Sequence, residues 1–231
     1  MKVTVSIGFY KKIYNWIMSE AKNEVIYRPF ILDGNPYKSR LFLVGSNAIP
    51  FFKVEQGSEK GFADALLNRD LMEDLYNSEV QHAPREFKGS LHFAKWLQKE
   101  LNETAVYTSL NTYQVESADE LKEVKKENPE AFARGQVIFD EVLNEFQPEI
   151  IVLQGTAALN QFKAMYAEQL VIYNSTITKV QHLEAEGAFA EMLDHNGKKV
   201  HIFATRSMSY FGKDGSKFEC FKNKICEILD N

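Results

Sequence analysis

Cysteine is nearly absent from this 231-residue chain, which holds only Cys220 and Cys226. Six helical steps of about 100° separate them, so on the helix they share they face different ways and do not pair. Two are too few for a structural zinc or an iron–sulfur cluster, and the expectation is two free thiols in a reducing, cytoplasmic compartment. Long apolar runs are missing too. None approaches the roughly 20 residues that span a membrane, and the mixed segment Met1 to Lys12 lacks the pattern of a secretory signal. No G-x-G-x-x-G or G-x-x-x-x-G-K occurs, which leaves Gly45 and Gly155 as isolated glycines. A G-x-S-x-G nucleophile elbow is absent as well. Histidines 82, 92, 182, 195 and 201 show no metal-ligand spacing, so neither a metal nor a cofactor is expected.

Net positive charge is also lacking. The formal balance of −5 argues against a general nucleic-acid coat protein. The distribution says more. Between Lys198 and Lys224 stand seven Lys or Arg (198, 199, 206, 213, 217, 222 and 224) against Asp214 and Glu219, while acids gather between Glu116 and Glu149. One basic end is compatible with phosphate contact. It is equally what an ordinary solvated face looks like.

What is present is an alternation of short apolar runs and helical periods. Residues 5–24 repeat Phe9, Ile13, Trp16 and Ile17 at helical spacing, and Leu32-Asp33-Gly34-Asn35-Pro36 reads as a turn. Leu41-Phe42-Leu43-Val44 has the character of a strand buried on both faces, stopped by Gly45-Ser46-Asn47. Helices are predicted over 60–77 and 90–102, then a strand Ala105-Val106-Tyr107 and a polar turn from Thr108 to Thr112. Ser117 to Glu120 has the form of a capping box, and Asn128-Pro129 opens a second helix. Ile150 to Leu153 is the third strand, with Gly155-Thr156 turning into a helix. Asn196-Gly197 joins a stretch near 188–194 to the strand Val200 to Ala204, and Ser216 with Glu219 forms a second capping box. This order predicts one α/β domain over 1–231, with residues 1–30 as a helical segment packed on it. Its core would be a four-stranded, mainly parallel sheet between two helical layers.

In open parallel sheets ligands bind outside the carboxyl ends of the strands. Three strand ends here are polar: Gly45-Ser46-Asn47, Ser109 to Thr112, and Thr205-Arg206-Ser207-Met208-Ser209. The fourth is the small-residue turn Gln154-Gly155-Thr156.

An apolar strand followed by Gly-x-Asn, with a Phe a few residues on, resembles the first motif of the uracil-DNA glycosylase superfamily. The likeness is to the Gly-x-Asn-Pro of its mismatch-specific and single-strand-selective branches. Val106 to Tyr113 resembles the family's strand leading to Thr-Asn. "IIVLQGTAALNQF" (150–162) resembles its central strand–Gly–helix segment, and "VHIFATRSMS" (200–209) falls where a strand and His/Asn-Pro-Ser belong. Ala48 stands where the first motif has Pro, and Thr205 and Arg206 where the last has His/Asn and Pro.

The resemblance implies a three-layer α/β/α fold and hydrolysis of the bond between deoxyribose and a uracil-like or deaminated base in DNA, as in base excision repair. Such an enzyme takes its base out of the stack. The partner implied is single- or double-stranded DNA carrying a modified base, with the chain a monomer that does not engage membranes. Asn47 would orient the attacking water, with Gly45 and Ser46 beside it in the substrate-binding loop. Phe51 or Phe52 would stack on the flipped base, or else plug the core. Asn111 would read the base edge, or else serve a turn. Thr205 and Arg206 would take the catalytic place of the last motif. Ser207 and Ser209 would meet substrate, and Arg206, Lys213 and Lys217 would contact phosphate. Two other readings stay open. One is a nucleic-acid or nucleotide binder that keeps the fold without turnover. The other is an unrelated α/β nucleotide-processing hydrolase.

Overall fold

The computed structural model describes residues 6–19, 24–32, 34–79, 84–173 and 179–230; parts of the expected N-terminal segment, Asp33 of the predicted turn, and His82 lie outside them. In chain order the elements are α1 (Ile7–Ile17), β1 (Met18–Ser19), β2 (Glu24–Val25), β3 (Leu41–Ala48), α2 (Glu59–Leu66), α3 (Arg69–Glu79), α4 (Arg85–Leu101), β4 (Ala105–Gln114), α5 (Ala118–Glu127), α6 (Pro129–Phe146), β5 (Ile150–Gln154), α7 (Gly155–Met165), β6 (Val171–Ile172), α8 (Val180–Glu186), β7 (Ala190–Leu193), β8 (Lys199–Thr205) and α9 (Glu219–Leu229). The protein is α/β. Its main sheet has, among the described residues, six strands in the order β4-β3-β5-β8-β7-β6, flanked by helices. The four predicted strands are all in it. The two extra are β7, foreseen as one arm of a hairpin, and the two-residue edge strand β6, too short to leave a periodic signal.

The residues group into two compact units. The first comprises 1–37, 46–83 and 106–146, the second 38–45, 84–105 and 147–231. In the first unit, α1 starts where the Ser6 hydroxyl accepts the Phe9 N–H at 3.1 Å, and it buries Phe9, Ile13, Trp16 and Ile17. It ends earlier than the predicted 24, because Met18 pairs with Val25 in an antiparallel ribbon. The predicted helix over 60–77 is two helices. Asn68 interrupts it, its Oδ1 accepting the N–H groups of Asp70 and Leu71 at the start of α3. Strand β4 does not stop at Thr108. It runs on to Gln114 because its polar side chains are satisfied inside: Thr108 donates to the Pro29 carbonyl, Asn111 to that of Phe132 and Thr112 to that of Gly135. Gly135 is required there, since a Cβ on it would fall 2.2 Å from Asn111 Oδ1. Ser117 and Asn128 cap α5 and α6 as expected, with Glu120 returning to the Glu116 N–H.

The second unit holds the buried centre of the sheet. Leu41 to Val44 pair in parallel with Ile150 to Leu153, and Ile150 to Gln154 pair in parallel with His201 to Thr205. Leu41 to Val44, Ile150 to Leu153 and Ile202 to Thr205 are fully buried, as strands covered on both faces must be, while Gln154 and His201 are half-buried. β7 returns antiparallel to β8, with Ala190 opposite Ile202, through a turn at Asp194 to Gly197 whose Asp194 Oδ1 accepts two backbone N–H groups. An aromatic cluster of Phe93, Phe203, Phe211, Phe218 and Phe221 fills the core beside β8. Each such ring contributes about 1.5–3 kcal/mol on burial. Ser216 and Glu219 do not form the second capping box. Residues 216–218 make a 3-10 turn, Asp214 accepts the Ser216 N–H, and Glu219 pairs with Lys222. Cys220 and Cys226 are free. Among the described residues no helix is long and apolar enough to cross a membrane.

Candidate functional site

The pairing of Gln154 with Thr205 brings two strand ends level, so the residues that follow them emerge side by side in the second unit. After β5 the chain turns at Gly155, whose φ of +79° favours glycine, and enters α7 without a side-chain cap. After β8 come Arg206 and Ser207. With Gly155, Thr156, the N-cap Lys179 and the first residues Val180 and Gln181 of α8, and Tyr210, they line a cavity of about 510 Å³. Unsatisfied N–H groups and the positive end of the helix dipole lie at the start of α7. Gln154, just before Gly155, has its Oε1 buried with no partner among the described residues. Lys179 is exposed. The lining thus brings an exposed lysine, an arginine and the start of a helix to one cavity.

Arg206 does not reach into the cavity as a loose cation. Its Nη2 donates to Glu184 Oε1 at 2.8 Å, while its Nε and its backbone N–H both donate to Oε2, at 3.2 and 2.9 Å. Nη2 also meets the Lys217 carbonyl, and the guanidinium lies over the Phe218 ring, 4.9 Å from its centre. The hydrogen bonds to Glu184 are the main reason the Arg206 pKa is raised. Of its seven Lys or Arg, the basic end commits four to carboxylates: Lys199 to Glu191, Arg206 to Glu184, Lys222 to Glu219 and Lys224 to Glu227. Much of the apparent surplus is therefore neutralised locally. Lys213 and Lys217 are exposed and do not line the cavity.

Thr205 is fully buried, and its hydroxyl donates to the Arg206 carbonyl at 2.8 Å. Its hydrogen is spent on its own backbone, against the expectation of a catalytic group at this position. Ser207 donates its one hydroxyl hydrogen to Glu86 Oε2 at 3.0 Å, stands 3.0 Å from Ser209 Oγ, and accepts the Ser209 N–H. A carboxylate within reach of Ser207 opposes an anion at that hydroxyl. The segment after Ser207 is pinned by α4, where a Cβ on Gly89 would fall 1.8 Å from the Met208 carbonyl oxygen.

Gly45 lies within β3 in the second unit and is half-buried, as is Ser46, the next residue, in the first. The expected stop at Gly45 does not occur: β3 continues to Ala48, and Val115 N–H bonds the Ala48 carbonyl. Asn47 is half-buried. Phe51 is half-buried, whereas Phe52 is 1% exposed, edge-on to Tyr76 and beneath the Arg28 guanidinium. Phe52 is therefore the core plug of that pair. Asn111 is wholly buried, with Nδ2 donating to Phe132 and Oδ1 accepting the Tyr113 N–H. One end of its amide ties β4 to α6 and the other its own strand, and no base edge is open to it. Burial pulls the Arg28 pKa down, Tyr76 acting the other way.

Sequence reasoning missed Glu184, Lys179 and Tyr210. A lone acid on a seven-residue helix carries no motif, and only the partner it finds gives it meaning. No protein-family model matches the chain, and no curated protein matches it.

Proposed function

We propose that the chain is a divergent DNA glycosylase of the uracil-DNA glycosylase type, with the three-layer fold of that superfamily, and that the cavity between Gly155 and Arg206 receives the sugar–phosphate of its nucleotide. One observation carries this reading. The residues matching the third and fourth motifs, Gly155-Thr156 and Arg206-Ser207, come from separate parts of the sequence and line one cavity outside the carboxyl ends of adjacent parallel strands.

In the reaction, water attacks C1′ of the deoxyribose as the C1′–N bond breaks. The bonding electron pair leaves with the base, and the proton released by the water passes through solvent to the departing base anion, so the products are the free base and an abasic sugar. The resemblance assigns Asn47 to the water: its amide oxygen accepts a hydrogen bond and aligns the nucleophile without taking the proton as a carboxylate would. Slow turnover follows. Substrate is DNA carrying uracil or another deaminated base, acted on by a cytoplasmic monomer without metal or cofactor.

A second reading is a binding protein that holds such a nucleotide without turnover. The Thr205 hydroxyl favours it, being buried and engaged with its own chain where a donor to the departing base is needed. Oligonucleotides containing uracil, hypoxanthine, xanthine or a thymine mismatch, incubated with the protein and then cleaved with alkali, separate the two. Strand scission at one base and not at its normal counterpart is the expected result. Tight binding without scission on any of the four overturns the catalytic reading and leaves the binder. Neither binding nor scission overturns both.

A further inference from the structure

Inside the first unit stands a guanidinium against which, among the described residues, no carboxylate is placed. Arg28 is 6% exposed. Its Nη1 donates to the Pro50 carbonyl at 3.0 Å and its Nη2 to the Ile49 carbonyl at 2.8 Å. Its plane covers the Phe52 ring at 5.2 Å, and the same ring meets Tyr76 edge-on at 4.8 Å. The backbone of Arg28 is itself anchored, its N–H bonding Thr112 O at 2.8 Å on β4. Gln114, two residues further along β4, accepts the Phe52 N–H at 3.3 Å.

These contacts converge on one short segment. Asn47 is the last residue but one of β3, the Ile49 N–H turns back to the Asn47 carbonyl at 3.1 Å, and residues 49, 50 and 52 are each held from β4 or from Arg28. An apolar side chain of similar volume would fill the same space without desolvating a charge. What the guanidinium adds is a rigid planar fork whose two arms fix two consecutive carbonyls.

We propose that Arg28 is the positioning residue of the Asn47 loop: it acts through the Ile49 and Pro50 carbonyls and sets where the Asn47 amide points. This rests on the reading of Asn47 as the residue that aligns the water, but the brace has its own readout. In the full chain, hydrogen exchange of the peptide covering residues 46–53 is compared in wild type, Arg28→Lys and Arg28→Met. Lysine keeps the charge and loses the fork. Exchange in that peptide is expected to rise about tenfold in Arg28→Lys, with peptides from α6 unchanged. No rise, or an equal rise throughout the first unit, overturns the proposal. On a base that the wild type excises, Arg28→Lys should lower kcat about tenfold with KM held, the signature of a displaced reacting group. Arg28→Met should lower it further. A raised KM at constant kcat overturns the proposal as well. If the wild type excises nothing, the glycosylase reading falls on its own, and the exchange measurement alone decides the brace. Arg28→Lys carries the test should Arg28→Met fail to fold.

Discussion

Glu184 takes three hydrogen bonds from one residue, Arg206: from its Nη2, its Nε and its backbone N–H, at 2.8, 3.2 and 2.9 Å. The first two tie a side chain and the third ties the chain just past β8, so one carboxylate fixes both the guanidinium and the strand end that lines the cavity. Glu184→Ala leaves a partly buried cation and a backbone donor without their acceptor. It should cost about 2–3 kcal/mol in urea unfolding, within the range for breaking hydrogen-bonded charge pairs. Glu184→Gln keeps an acceptor and loses the charge, and should cost less than half as much. Equal losses in the two variants would mean that the charge carries the contact and the geometry does not.

Gly89 and Gly61 make a matched pair for testing close approach. A Cβ on Gly89 collides with the Met208 carbonyl, whereas one on Gly61 in α2 meets nothing within 4 Å. Gly89→Ala should destabilise by about 1–3 kcal/mol through overpacking. Gly61→Ala should stabilise by about 0.5–1 kcal/mol, because alanine loses less backbone freedom in a helix. Opposite shifts in Tm for the same chemical change are expected. Shifts of one sign would show that α4 does not pack against the Met208 segment as described.

The apolar signals of this sequence were enough for the sheet centre. Leu41 to Val44 and Ile150 to Leu153 are continuous hydrophobic runs, and Val200 to Ala204 is broken only by His201; such runs suit burial on both faces of parallel strands. Polar residues misled wherever their partners came from far along the chain. Thr108, Asn111 and Thr112 look like a turn by composition. They lie in a strand because the carbonyls of Pro29, Phe132 and Gly135 receive their donors. The candidate site divides in the same way. Arg206 and Ser207 were legible as a strand end, but Glu184 and Glu86, which determine their charge and hydrogen bonding, follow no periodicity.

His201 gives a pH test of the sheet. It is half-buried in β8 among Lys199, Glu191 and Glu149, and burial is the main cause that lowers its pKa from the ordinary 6.5. The unfolded chain therefore takes up this proton at a higher pH than the folded one. The associated stability is full above about pH 6.5 and is lost as pH falls toward the folded pKa. His201→Gln should flatten the fall in urea midpoint between about pH 7 and pH 5.5, a window above most carboxylate titrations. An unchanged slope would show that another group carries it.

The cavity itself is tested most sharply by separating its two cations. Lys179 is exposed on the rim with no ion pair among the described residues, whereas Arg206 is committed to Glu184. A phosphate entering the cavity gains a new contact from Lys179 but must share Arg206 with a carboxylate already in place. Lys179→Ala should therefore weaken binding of a short single-stranded oligonucleotide and reduce the slope of log affinity against log salt by about one, without moving the urea midpoint. Arg206→Ala should move the midpoint strongly and the salt slope little, since its charge is already neutralised in the free protein. Lys213→Ala and Lys217→Ala, on exposed lysines away from the lining, should change neither. Fluorescence polarisation at three salt concentrations distinguishes these cases. If Arg206→Ala flattens the slope and Lys179→Ala leaves it intact, the ion pair with Glu184 opens on binding, and Arg206 is the phosphate ligand after all.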